Sequence, residues 1–76
     1  MPVVHLIDSI KILVYFDDHL PPHFHAQYNE YEMLVVIDSL DIYSGFLPSK
    51  QRNKVLEWAE INRDFLWSKW NEFHDN

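Results

Sequence analysis

The stretch Asp17-Asp18-His19-Leu20-Pro21-Pro22-His23-Phe24-His25 holds three of the chain's five histidines and two of its four prolines. Imidazoles exchange protons near neutral pH and, when neutral, ligate metal ions, so two chemistries are open to this segment. In the first, His23 and His25 act as base and acid on a phosphodiester, with His19 as a third catalytic candidate. In the second, His19, His23, His25 and Asp18 supply nitrogen and oxygen ligands to a divalent metal and leave a position open for substrate. No other cofactor is called for. An H-x-H pair is a weaker signal than a helical H-E-x-x-H, and a purely structural alternative exists. There one imidazole caps the proline turn and the other faces solvent.

Phosphodiester chemistry also needs a cation to hold the phosphate. Lys50, Arg52 and Lys54 are half of the six basic residues and crowd the start of the predicted helix. There they oppose the helix dipole, at a cost of a few tenths of a kcal/mol each, about 0.3 and upward. Either they form an anion-binding site with the free helix N–H groups, or they balance Glu30, Glu32 or Asp41 in space. His5 and His74 stand alone in the sequence and are read as incidental. Trp58, Trp67 and Trp70 are read as core rather than as a base-stacking platform.

The elements that position these residues follow from periodicity. Pro21-Pro22 fixes φ twice and removes two donors, so the chain turns or runs extended there. Beyond it Phe24, Ala26 and Tyr28 alternate with His23, His25 and Gln27, which predicts a strand with both imidazoles on one face. Before it, Val3 to Ile7 and Ile10 to Phe16 read as a hairpin turning at Asp8-Ser9, with the second strand covered on both faces. Asn29-Glu30 predicts a second hairpin into Tyr31 to Ile37, and Asp38 to Asp41 turns into a short strand around Ile42 to Gly45. From Lys50 to Phe73 there is neither Gly nor Pro. Ser49 is the expected N-cap of a helix whose stripe of Val55, Ala59, Leu66, Trp70 and Phe73 covers the sheet. Asn62 interrupts that stripe and marks a break or kink, where it can cap a second helix starting at Arg63-Asp64. The predicted fold is α+β: an antiparallel meander of four or five strands under a C-terminal helix, in a single domain over residues 1–76.

Twelve acidic against six basic residues disfavour general nucleic-acid binding and favour basic or protein partners. Twelve aromatic side chains supply large buried areas for so short a chain. The absence of cysteine excludes disulfides, thiol catalysis and Cys-ligated zinc. No secretory leader and no apolar run of membrane-spanning length occur, so a soluble cytoplasmic protein with no membrane partner is expected.

Met1-Pro2, Tyr15-Phe16, Asp18-His19, Pro21-Pro22-His23-Phe24-His25-Ala26, Tyr28, Glu30-Tyr31-Glu32, Leu47-Pro48 and Val55-Leu56-Glu57-Trp58 together resemble a small bacterial family catalogued as domain of unknown function 4160. The D-H-x-P-P-H-F-H signature falls on Asp18, His19, Pro21, Pro22, His23, Phe24 and His25. The chain departs from the pattern at Ser39-Leu40-Asp41, where relatives have a Gly-containing turn. It departs again at Ser49-Lys50-Gln51-Arg52, where they carry several Arg, which weakens the anion-site idea. The resemblance implies gene pairs of toxin–antitoxin type, and hence a protein-binding module whose partner is encoded nearby. Three further functions compete with it: a histidine-dependent ribonuclease or phosphodiesterase acting with or without metal, a metal sensor, and an acidic inhibitor that occupies a nucleic-acid-binding groove on another protein. Nucleic acid is a direct partner only if the chain is catalytic. An edge strand in so small a sheet can also pair with a second copy of the chain.

Overall fold

Turn residues that accept left-handed backbone set the strand order. Asp8 and Asn29 take φ of 53° and 54°, a conformation their short polar side chains tolerate. Each closes a two-residue hairpin. The computed structural model describes residues 3–15 and 20–74. Within them β1 (Val3–Ile7), β2 (Ile10–Leu13), β3 (His23–Tyr28), β4 (Tyr31–Val36) and β5 (Ile42–Gly45) form one antiparallel sheet in sequential order. Helices α1 (Ser49–Ile61) and α2 (Arg63–His74) follow. The α+β meander read from the periodicities is the fold observed, and it has five strands.

Period-2 alternation sorts the sheet into two faces. Ile12 pairs with Ala26 and Ala26 with Met33, while Phe24 pairs with Val35. All five are fully buried and share one cluster with Val55 and Ala59 of α1 and Leu66 and Trp70 of α2. Each aliphatic or Phe side chain buried there stabilises the fold by about 1.5–3 kcal/mol. The opposite face carries a cross-strand row running Val3, Leu13, His25, Leu34 and Ser44.

Two expectations, the end of β2 and the cap of α1, are corrected in detail. Strand β2 ends at Leu13 rather than continuing toward Phe16, which lies outside the described residues. Ser49 is the first helical residue and not the cap; Pro48 holds the cap position, and its carbonyl accepts the Arg52 N–H at 2.8 Å. Pro suits that place because it has no N–H to leave unpaired. Asn62 does separate two helices and holds the position before α2, where its carbonyl accepts the Leu66 N–H at 3.0 Å, while its side-chain amide turns back and donates to the Trp58 carbonyl at 2.9 Å. That bond satisfies a polar group which, buried and unpaired, would cost about 1–3 kcal/mol. The Asp38 to Asp41 connection holds Leu40 at φ 62°. A leucine there costs about 1–2 kcal/mol, and packing of its side chain against the core offsets part of it.

Candidate functional site

Strand β3 presents His23 and His25 on one face with ring centroids 5.2 Å apart. They are 4% and 9% exposed. The His23 Nδ1 lies 2.7 Å from the Pro21 carbonyl oxygen, and the His25 Nδ1 lies 3.0 Å from Glu32 Oε2. Neither a carbonyl nor a carboxylate has a proton to give, so both Nδ1 atoms donate. In each neutral ring the basic lone pair is therefore on Nε2, the tautomer and anchoring found in acid–base and metal-ligating histidines. The structural alternative holds for His23, whose imidazole does cap the proline turn. His25 is buried and so is not the imidazole turned to solvent, and His19 lies outside the described residues.

The surroundings of the pair come from four elements. Tyr15, just past β2, sets its ring edge-on to His25 at 4.5 Å, and Gln27 donates to both the Tyr15 hydroxyl (3.5 Å) and Glu32 (3.2 Å). Tyr43 lies 5.5 Å and Trp70 5.8 Å from the His23 ring. The register between β4 and β5 slips by one residue between Leu34 and Val35, opposite Ser44 and Ile42, which makes Tyr43 the extra residue of a bulge. Bulges re-aim side chains in this way.

Glu32 was open to sequence reasoning. A two-residue turn at Asn29-Glu30 puts Gln27 opposite Glu32 and His25 opposite Leu34, so Glu32 is the diagonal neighbour of His25. Trp70 and Tyr43 had no such signal. His5 and His74 are not incidental to packing either. His5 stacks on Trp58 at 4.6 Å, and His74 stacks on Trp70 at 3.6 Å while its Nδ1 donates to the Trp70 carbonyl.

The basic cluster sits elsewhere. Lys54 Nζ lies 2.6 Å from Asp8 Oδ2, in a cleft lined also by Ser9, Ile10, Tyr28 and Gln51. Tyr28 ends β3, so this cleft and His23 are at opposite ends of the strand, roughly 16 Å apart at 3.3 Å per residue. Arg52 donates to Asn53, and Lys50 adds to the positive field on Asp8. The acid that Lys54 balances is thus Asp8, not Glu30, Glu32 or Asp41. Arg63 is joined to the proline turn instead: its Nε donates to the Ile37 carbonyl at 3.3 Å, and the Ile37 N–H donates to the Pro22 carbonyl.

Lys54 has a measurable consequence. Its hydrogen bond and charge, with a smaller effect from Lys50, hold the Asp8 carboxyl below its ordinary value of 3.8. A value lower in the folded than in the unfolded chain stabilises the fold above the unfolded value, and the contribution is lost as pH falls through the folded one. Asp8→Asn keeps a side chain suited to the left-handed turn. It is expected to lower Tm slightly at neutral pH, with the gap closing as pH falls below the ordinary carboxyl value. A gap that does not change with pH would rule out the charge pairing.

His19 and Asp18, the other metal-ligand candidates, lie outside the described residues. Among the described residues no three His, Asp or Glu side chains converge as a metal site would require. A metal held by His23 and His25 therefore needs a further ligand from beyond them. No helix among the described residues is long and apolar enough to cross a membrane.

A family model described as "Domain of unknown function (DUF4160)" matches residues 9–71. The chain belongs to the DUF4160 family. The matched DUF4160 region contains the proline turn, both buried histidines, Glu32, Tyr43, Arg63 and Trp70, and leaves out β1, Asp8 and His74. No curated protein and no solved structure gave a match.

Proposed function

We propose that this DUF4160 domain is a protein-binding module that acts through a partner protein in a toxin–antitoxin-like or mobile-element system of the bacterial cytoplasm. The observation that carries this reading is the outer strand of the sheet. All four residues of β5 are exposed. Ile42, Tyr43 and the following Phe46 are 43%, 52% and 61% exposed, large apolar side chains left uncovered at one edge of the sheet, as at interaction surfaces. Co-expression with the product of the adjacent gene tests it. A stable complex on size-exclusion chromatography is expected, and two separate monomers would overturn the reading.

The anchored imidazoles support a second reading, a histidine-dependent ribonuclease. His23 and His25 would serve as base and acid, and Arg63 rather than Lys50, Arg52 or Lys54 would hold the phosphate. Both rings are nearly covered, so RNA reaches them only once Tyr15 or Tyr43 swings aside. A positioned acid or base contributes about 10²–10⁴-fold. The double variant His23→Ala, His25→Ala should therefore abolish any cleavage while circular dichroism reports whether it folds. Cleavage retained by the folded variant rules the histidine mechanism out.

A further inference from the structure

Chain charge is segregated along this fold. No Lys or Arg occurs between Lys11 and Lys50. Strands β3, β4 and β5 therefore carry no basic side chain apart from histidine, while Glu30, Glu32, Asp38 and Asp41 on β4 and its flanking turns are all exposed. Glu32 is held by His25 and Gln27 on the β3 side, which leaves Glu30, Asp38 and Asp41, in the turns at the two ends of β4, as the acidic rim beside β5.

β5 is also the last strand of the sheet. The Phe46 N–H donates inward to the Glu32 carbonyl at 3.1 Å. Alternation then directs the N–H and C=O of Gly45 away from β4. The Phe46 ring is held against Tyr31 at 5.4 Å, and the Tyr43 ring folds back over the sheet against His23 at 5.5 Å, which leaves Ile42 and Phe46 as the apolar side chains beside that edge. Aromatic rings already fixed by neighbours lose little freedom when a ligand covers them. The other edge differs. β1 exposes Val3 and Leu6, but Lys11 stands opposite Leu6 and Asp8 is occupied by Lys54.

We infer that β5 is the docking edge for an extended, Lys- or Arg-bearing segment of the partner protein, which adds to the sheet as a further antiparallel or parallel strand. Backbone pairing along β5 holds the segment, apolar side chains on its two faces pack beside Ile42 and Phe46, and its cations face Glu30, Asp38 and Asp41. This rests on the protein-binding reading and specifies its partner. A second copy of the chain is disfavoured because it would bring one acidic rim against another.

The probe is a synthetic peptide of about eight residues, an ordinary strand length, alternating Lys with Val and Thr. Two controls accompany it: the same peptide with Glu for Lys, and a Lys peptide interrupted by proline, which keeps the charge but cannot pair. Amide resonances of the labelled protein are followed on titration. The basic peptide is expected to shift Ile42 through Phe46, neither control should do so, and binding should weaken roughly tenfold as salt is raised through the physiological range. Equal binding of the proline control means a charge contact only, as a basic groove would make, and overturns strand addition. Shifts centred on β1, or no shifts with the basic peptide, overturn it as well, as do concentration-dependent shifts without peptide, which indicate self-pairing. The double variant Ile42→Lys, Phe46→Lys changes only exposed side chains and is expected to keep its Tm. If it binds the neighbouring gene's product as well as the unaltered chain does, the edge assignment is wrong and the protein-binding reading stands. If the unaltered chain binds the peptide at β5 but not that product, the edge stands and the assigned partner is wrong.

Discussion

Gly45→Ala is expected to destabilise the domain by about 3 kcal/mol, the sum of a left-handed backbone penalty near 1–2 and an overpacking penalty of about 1–3. Gly45 sits at φ +71°, and a Cβ added there would lie 2.1 Å from the Glu32 carbonyl oxygen. The blocking atom is backbone, so no rotamer change relieves the contact. β5 must move off β4 or the turn must reform. The same Glu32 carbonyl accepts the Phe46 N–H, so the displacement also breaks the bond that seats the exposed Phe46. Urea denaturation is the appropriate measurement, with Ser44→Ala as a control for altered strand propensity, expected within about 0.5 kcal/mol of the unaltered chain. A loss for Gly45→Ala no larger than the control's would mean that β5 is free to shift and does not depend on the close approach at Gly45.

Trp70→Ala should cost still more, about 3–5 kcal/mol, as is usual when a buried Trp or Phe is truncated. Trp70 is 5% exposed and joins the core cluster from α2. Its ring also bridges two histidines, 5.8 Å from His23 and stacked at 3.6 Å on His74. For a domain of this size each kcal/mol is worth roughly 4–8 °C, so Tm should fall by about 15–30 °C. Trp70→Phe keeps much of the apolar area and should lose less than half as much. The His23 ring protons should lose their ring-current shift in both variants to the extent that the indole is missing. If Trp70→Ala melts within a few degrees of the unaltered chain, α2 does not fasten the histidine end of the sheet.

Much of the fold could be read before any contact was known, because each element carried a local signal. Two polar turn residues, Asp8 and Asn29, mark hairpins whose strands alternate on either side. Of the helical stripe of Val55, Ala59, Leu66, Trp70 and Phe73, the first four are fully or nearly buried and Phe73 is half-buried. The face shared by His23 and His25 followed from period 2 alone. What was not legible depends on chain segments far apart in sequence. The Lys54 contact with Asp8 and the Arg63 contact with the Ile37 carbonyl join residues 46 and 26 positions apart. Neither has a spacing rule behind it. Tyr43 reaches His23 only because a bulge inserts it into β5, and nothing in Ile42-Tyr43-Ser44 distinguishes a bulged strand from a regular one. Glu32 is the intermediate case: hairpin register alone makes it the diagonal neighbour of His25, while its charge taken by itself marks only a surface residue.

The acidic rim around β5 has a consequence for the protein at high concentration. A short sheet with two open edges and exposed apolar side chains is a template for runaway stacking of identical chains into fibrils. Three exposed carboxylates, Glu30, Asp38 and Asp41, stand in the turns at the ends of β4 beside β5, with no lysine or arginine among strands β3 to β5 to neutralise them. At neutral pH each chain therefore repels its own image at the place where stacking would begin. Acidification that neutralises these carboxylates, or salt that screens them, removes the barrier. Turbidity and thioflavin binding should rise under those conditions before the domain unfolds.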